Sequence, residues 1–548
     1  METQLEFVYR HERELAERIW LTQPMGHGVV RDFTWREAMA DVRRMAAYLR
    51  AQDYPPGSRV AILSKNCAWW FLADLAIFMA GHVSVPVYPT LTATSLRQIL
   101  AHSDTRLVFV GKLDGYASMA PGLPPSIDRV AFPLSPDRDA PRWDDIVAST
   151  APIAGSPRRD PDDLATIIYT SGSTGTPKGV MHSFRTMCAA AVYVQEAGYT
   201  VADRAISYLP LAHVAERAVL MTPNLMVGFR VFFAESLDTF MDDVRRARPT
   251  IFGSVPRLWL KLQGGVFERI PQRRLDRLLR MPIVRGLVRR KVLERLGLDA
   301  VRMAACGSAP VPAELLDWYR GFGLDIREIY AMSENFAVSH MTSTGRRLAG
   351  YVGPPLPGVE QRLTDEGEVL VKSPGTMLGY YRAPELTREV VDADGWIHTG
   401  DRGQLSGDGQ LRVTGRVKEL FKTSKGKYVA PAPIENLLLA SPLLDQACVV
   451  DIGLGQPAAI VVRSPTAHAE PRDALADRLE QLRARVNHFL DPHEHLERIV
   501  VVAEEWTVDN GLLTPTMKLR RTAIEERYAR ERQAWLAASQ RVIFSQGA

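Results

Sequence analysis

The sequence predicts a large, layered α/β domain followed by a smaller, mobile α+β domain. Three observations carry this reading. The chain has 548 residues, more than one hydrophobic core usually supports, so at least two domains are expected. Short apolar runs alternate with helical stretches through the first two-thirds, which is the pattern of βαβα layering. From about Gly358 the character changes to hairpin material, and after Arg416 a smaller mixed segment runs on.

RVAIL (Arg59–Leu63) reads as a strand, followed by a helix from about Ala68. The nearest thing to a membrane span is Trp69–Tyr88, but Asp74, Gly81, His82 and Pro86 interrupt it. A buried helix followed by a buried strand explains it better. VSVPVY precedes the helical SLRQILAHS, and RLVFVG ends in a turn. Then come LATIIYT, RAISYLP, FRVFFAE, TIFGSVP, VRMAACGSAP and DIREIYAMSE, most of them separated by helix-like segments. In such folds ligands gather beyond the carboxyl ends of strands. Chemistry is therefore expected in the loops after LATIIYT, VRMAACG and DIREIY. GVEQRLTDEGEVLVKSPG and GQLRVTGR read as hairpins turning at DEG and GDG. There is no internal repeat. The domain boundary is expected at 417/418, giving segments 1–417 and 418–548.

Apolar residues make up 46% and charged residues 24%, which argues for a soluble globular protein and against disorder. Lys+Arg (67) and Asp+Glu (63) nearly cancel to a net +4, so nucleic acid is not an expected partner. The four cysteines lie far apart with no CxxC spacing, which disfavours a disulfide framework or zinc and fits a reducing cytosol. METQLEFVYRHERELAERIW has acidic residues and no apolar h-region, so it does not read as a secretory signal. Cytoplasmic residence is expected, with loose membrane association left open. Segment Arg269–Arg302 is arginine-rich. It reads either as a solvated helical face or as a surface that meets anionic lipid or acyl carriers.

The decisive motif is YTSGSTGTPKG, Tyr169–Gly179, between an apolar strand and the short run GVM. Polyphosphate binding needs convergent N–H groups, donating hydroxyls and room for close approach. Gly172, Gly175 and Gly179 supply the room. Thr170, Ser171, Ser173, Thr174 and Thr176 supply hydroxyls, and Lys178 supplies charge. Taken alone, such a run is usually a flexible loop. It is not a Walker A loop, since no Gly-Lys-[Ser/Thr] opens a helix.

This motif resembles the signature of the adenylate-forming superfamily: acyl-CoA synthetases, amino-acid adenylation domains and firefly-type luciferases. Further motifs follow in the family's order. Gly307, Ser308 and Ala309 in GSAP, with EIYAMSE (Glu328, Ile329, Tyr330 through Ser333 and Glu334), resemble the adenine-binding pair of loops. HTGD, ending in Asp401, resembles the ribose-binding motif, and Arg416 stands where it would donate to the same sugar. GRVKELFKTSKGKYVAP resembles the hinge and the loop after it, with Lys418 at the hinge position, and TPTMKLRR the lysine motif. The match spans roughly Asp163 to Arg521.

The resemblance implies ATP and coenzyme A (CoA) as substrates, magnesium (Mg2+) as cofactor, and roles for single residues. Tyr330 would offer its face to adenine. Thr170 and Glu334 would give hard oxygen ligands to a magnesium ion bridging the phosphates. Lys518 would stabilise the charge that builds as a carboxylate attacks the α-phosphate, an effect worth several kcal/mol. The small domain would then swing about Lys418 to admit the pantetheine thiol.

YLPLAHVAER, LFKTSKGKYVAP, LTPTMKLRR and FGSVPRLW resemble the long-chain fatty acyl-CoA synthetase branch. The implied substrate is a fatty acid with a long apolar chain, and the products are acyl-CoA, AMP and pyrophosphate. His213 matches a family histidine near the acyl and thiol paths. A positioning or gating role suits it better than general-base work, because a carboxylate nucleophile needs no deprotonation at neutral pH. Ala331 and Ser333 stand where Gly and Thr are commoner, and Pro431 runs on as Ala-Pro-Ile-Glu without the usual acidic follower. Rival readings are an acyl-AMP ligase that loads an acyl carrier protein, amino-acid adenylation, a luciferase-like oxidoreductase and a non-catalytic nucleotide-binding protein. The last would be expected to lack Lys518 or Glu334.

Overall fold

All thirteen residues of helix Ala68–Ala80 are buried, Asp74 among them. This computed structural model describes residues 1–171, 177–345, 348–423, 427–514 and 518–545, and all counts here refer to those. The helix touches strand Ile19–Gly26 of one large sheet and strands Arg59–Leu63 and Val83–Val87 of another. Packed between two sheets, it has no solvent face, which is why its sequence is apolar all round. Gly81 ends it in the left-handed conformation at φ +91°. The expected buried helix and buried strand are both present, and no helix is long and apolar enough to cross a membrane.

The first sheet has seven strands, in the order Gly379–Tyr380, Pro177–Ser183, Leu164–Ser171, Val83–Val87, Arg59–Leu63, Thr105–Val110 and Asp128–Ala131. The last five run parallel, and the first two are antiparallel additions. The second sheet is parallel through Ile326–Tyr330, Met303–Gly307, Ile251–Ser254, Arg204–Ser207, Arg230–Phe233 and Ile19–Gly26. Antiparallel His340–Met341 and Val29–Thr34 close its edges. The expected multi-layer α/β region is thus built on two large sheets. The strands themselves are where β-branched runs place them, although RAISYLP is extended only to Ser207.

Asp74 pairs with Arg217 at 2.8 Å, and neither side chain is exposed at all. Arg217 opens the π-helical turn Arg217–Met221, and its guanidinium also lies 5.2 Å from the Trp70 ring centre.

A third, antiparallel sheet pairs Glu360–Leu363 with Glu368–Lys372, then Ile397–Leu405 with Leu411–Arg416, turning at the expected DEG and GDG. Beyond Arg416 the chain makes one turn, Val417–Glu419, and a short hairpin, Phe421–Lys422 with Tyr428–Val429. A mixed sheet follows, in the order Leu444–Val450, Ala458–Arg463, Arg498–Val502 and Val542–Phe544. Helices Pro431–Leu439 and Arg472–Asn487 cover one face of it, and a separate apolar cluster around Trp506 lines the other. The exposed Arg257 pairs with Asp445, which ties this smaller part to the larger one. The architecture is that of the predicted class: a large α/β portion and a smaller α+β portion.

Candidate active site

Strands Leu164–Ser171 and Pro177–Ser183 form a hairpin in which Thr170 faces Lys178 and Ser171 faces Pro177. Gly172, Ser173, Thr174, Gly175 and Thr176, at its tip, lie outside the described residues, as does the side chain of Ser171. Thr170 and Lys178 are half-buried at the base of the loop. The ammonium of Lys178 sits 5.7 Å from the centre of the Tyr380 ring, within cation–π reach.

The second sheet brings its two predicted loops side by side. Gly307 pairs with Ile329, and a side chain at Gly307 would strike the Ile329 carbonyl at 2.9 Å. Ser308 follows at φ +70° and is exposed with Ala309. A left-handed serine at a strand end is the kind of local strain that collects at binding loops. Glu328 is buried, and its N–H donates to Thr342 Oγ1 at 2.8 Å.

Tyr330 and Asp401 meet. The phenol donates to Asp401 Oδ2 at 2.7 Å, and Arg416 Nε holds Oδ1 at 2.9 Å. The N–H of Asp401 donates to Thr399 Oγ1 at 3.0 Å. Burial raises the Asp401 carboxyl above its usual range, against the pull of Arg416. For Arg416 burial works against the charge, but Asp401 and its neighbours outweigh it and the guanidinium is held above its usual range.

Glu334 and Ser333 bridge the two sheets. Tyr380, on the edge of the first sheet, donates to Glu334 Oε1 at 2.7 Å. His182, also in the first sheet, donates from Nε2 to the Ser333 carbonyl at 2.7 Å. Burial pushes His182 down to about 4, so the ring is neutral. Phe336 and Ala337 follow at φ +47° and +57°, two consecutive non-glycine residues in left-handed backbone.

Lys518 enters this space from the smaller domain. Solvent still reaches it, yet protein crowds it, and the charges that act on it belong to Arg416, Asp401, Glu334 and Glu419. Burial, then the charge of Arg416, lowers its pKa from the ordinary lysine range. Its loop is closed on itself: the Thr514 N–H donates to the Lys518 carbonyl at 2.8 Å, and the Lys518 N–H to Thr514 Oγ1 at 3.1 Å. Arg521, just beyond, grips Glu435 with two bonds of 2.7 and 3.1 Å and the Val449 carbonyl with a third of 2.7 Å.

His213 caps a short helical turn, its Nδ1 accepting from the Ala215 N–H at 3.1 Å. Burial, helped by the charge of Lys518, pushes it down to about 4. A neutral ring with its proton on Nε2 suits positioning rather than proton transfer at neutral pH. The side chain of Lys418 lies outside the described set.

Thr170, Lys178, Tyr330, Ser333, Glu334, Asp401, Arg416, Lys518 and His213 are thus linked by direct contact or by charge. Gly307, Ser308, Ala309, Glu328 and Ile329 frame them. Sequence reading missed Tyr380, His182 and the Glu435–Arg521 clamp. His182 carried a signal, since it lies two residues beyond Val180 on the same strand face. Tyr380 carried none, because its place depends on a two-residue strand pairing with Val180.

Comparison with known proteins is consistent over most of the chain. Residues 10–381 match the family model described as AMP-binding enzyme, and residues 419–539 match that of the AMP-binding enzyme C-terminal domain. The long-chain-fatty-acid–CoA ligase FadD15 of Mycobacterium bovis is 31% identical, with 96% of each chain covered. Long-chain-fatty-acid–CoA ligase 1 of Homo sapiens is 31% identical over 85% of this chain and 76% of its own length. Among solved structures, the adenylation domain of a carboxylate reductase from Mycobacterium chelonae superposes with a TM-score of 0.81 at 25% identity, covering 98% of this chain and 91% of its own. The anthranilate CoA ligase AuaEII, in complex with anthranoyl-AMP, superposes with a TM-score of 0.79 at 20% identity over 98% of both chains.

Proposed function

The chain belongs to the AMP-binding enzyme family and is a ligase, and from that premise we propose that it activates a long-chain fatty acid as acyl-AMP and transfers the acyl group to CoA. The observation that carries the reading is the placement of Lys518 among Asp401, Arg416, Glu334 and His213. In the first half-reaction a carboxylate oxygen attacks the α-phosphorus of ATP, and the bond to pyrophosphate breaks. In the second the CoA sulfur attacks the acyl carbonyl, its proton is lost, and AMP leaves.

Each residue has a task under this reading. Asp401 accepts from the ribose hydroxyls, held in place by the Tyr330 phenol and Arg416. Thr170 and Lys178 meet the phosphates at the hairpin base, and Lys518 meets the charge building at the α-phosphate. His213, neutral, shapes the path of acyl chain and thiol. The boundary falls at 417/418, with the hinge at Lys418.

The donor set at Glu334 fits magnesium. No cluster of three or more His, Cys, Asp or Glu side chains able to hold a metal occurs among the described residues. One carboxylate and one hydroxyl, Glu334 and Thr170, are what a cation held chiefly by phosphate and water requires. Bound there, magnesium would neutralise the phosphates. Glu334→Gln is expected to raise the magnesium needed for half-maximal pyrophosphate release by about tenfold or more, the loss of one charge-assisted ligand. An unchanged requirement would remove Glu334 from the metal site.

The test of the function is pyrophosphate release from ATP and magnesium across acids from acetate to oleate, with and without CoA. Turnover that peaks with long chains and depends on CoA is the expected result. Acyl-AMP that accumulates without response to CoA would move the acceptor to a carrier protein. A peak with aromatic or short acids would overturn the substrate class.

A further inference from the structure

We propose that the helical hairpin of Gln272–Arg280 and Pro282–Leu296 docks the enzyme on an anionic lipid bilayer. The arginine-rich segment left two readings open, and the two faces of the hairpin favour this one. Leu275, Val292 and Leu296 are buried in an apolar cluster that also holds Trp259, Leu262 and Val266, with Leu279, Val288 and Leu293 packed against it. These six satisfy the hairpin's need for a core.

Three further apolar side chains have no such reason to be there. Ile283 is 95% exposed, Leu287 50% and Met281 47%. Pro282 occupies the first position of the second helix, where it fits, and it stops the first helix from continuing. Met281 and Ile283 therefore stand at the turn, and Leu287 follows Ile283 one helical turn on, along the same face.

The charge around this apolar tip is predominantly positive. Segment Arg269–Arg302 holds eleven basic and three acidic residues, a net +8, whereas the whole chain sums to +4. The rest of the protein is therefore net −4. Arg273, Arg274, Arg277, Arg280 and Arg285 are all exposed. Among the described residues none of the five has a carboxylate within ion-pair distance, whereas Arg290 pairs with Glu294 at 2.9 Å. Exposed branched and thioether side chains ringed by unpaired guanidinium groups suit the phosphate and acyl layers of a bilayer interface. A soluble acidic partner would use the charge but not the near-fully exposed Ile283.

The hairpin also shares its apolar cluster with the walls of the site. Helix Pro256–Arg269 follows strand Ile251–Ser254, whose Phe252 stacks on Tyr208 at 5.8 Å. Tyr208 opens the segment that carries His213. The purpose of docking, to meet an amphiphilic acid where it is dissolved, rests on the fatty-acid reading. The docking itself does not, because its test reads lipid binding and no turnover.

The test is vesicle co-sedimentation of the full chain at low and high salt. It uses phosphatidylcholine alone and phosphatidylcholine mixed with phosphatidylglycerol. The wild type is expected to bind only the mixed vesicles, and to release as salt rises. The double variant Ile283→Asp, Leu287→Asp is expected to lose about tenfold or more of that binding. Its thermal unfolding should stay unchanged, since both side chains are exposed. Replacing the five unpaired arginines with glutamine should weaken binding and remove its salt dependence. A wild type that ignores the mixed vesicles, or a double variant that binds them equally well, would overturn the proposal. Salt-insensitive self-association of the wild type that Ile283→Asp abolishes, with no vesicle binding, would reassign the tip to a second copy of the chain.

Discussion

Lys518→Ala is expected to slow acyl-adenylate formation by about 10²–10³-fold or more, while thiol transfer from supplied acyl-AMP stays comparatively intact. The expectation follows from where charge develops. On the proposed reading, attack on the α-phosphate gathers negative charge that Lys518 would meet, whereas breakdown of acyl-AMP by a thiol involves a carbonyl carbon. Measuring both half-reactions with the same preparation separates the two. Equal damage to both would remove Lys518 from the adenylation step. The same side chain predicts a pH limb. Its pKa is lowered by burial and by Arg416, and the active form is the cation, so adenylation should fall as pH rises at values below the usual lysine range. Lys518→Arg should push that limb out of reach, since guanidinium stays protonated.

The second large effect concerns stability. Asp74→Ala should destabilise the larger domain by about 3–5 kcal/mol, because it leaves Arg217 buried without its counter-charge. Arg217 has little else to fall back on. Its contact with Thr166 Oγ1 is long at 3.4 Å, and its Nε has no hydrogen-bond partner among the described residues. The double variant Asp74→Leu, Arg217→Met should recover most of the loss, since apolar residues of similar volume avoid the desolvation of both ions. Urea midpoints of the three proteins decide the matter. A single variant within about 1 kcal/mol of wild type would mean that the pair contributes no more than a surface one.

Much of this was legible in the sequence because it is local. β-branched runs announce strands, DEG and GDG announce hairpin turns, and the Ser/Thr/Gly-rich motif is flanked by two strands as its sequence suggests. The buried helix was legible too, since an apolar stretch broken by Asp74 and Pro86 suits an interior better than a bilayer. What remained hidden depends on distant pairing. Asp74 and Arg217 are 143 residues apart, and nothing near either names the other. The split into two sheets follows from which strands pair across loops, not from their composition. The run after Pro431 belongs with these distant pairings: its Glu435 is gripped by Arg521, 86 residues further along the chain.

The ion pair between Arg257 and Asp445 has a bearing on timing. Arg257 is 65% exposed, and pairs of that kind contribute about 0–1 kcal/mol. That contact by itself thus ties the smaller part to the larger one by an amount close to thermal energy. On the proposed two-step cycle, the phosphate charges of the substrate would add to it by attracting Lys518, which already lies among the charges of Arg416, Asp401 and Glu334. Once pyrophosphate departed, most of that added attraction would depart with it. On the proposed two-step cycle, completion of the first reaction would itself release the brake on the second.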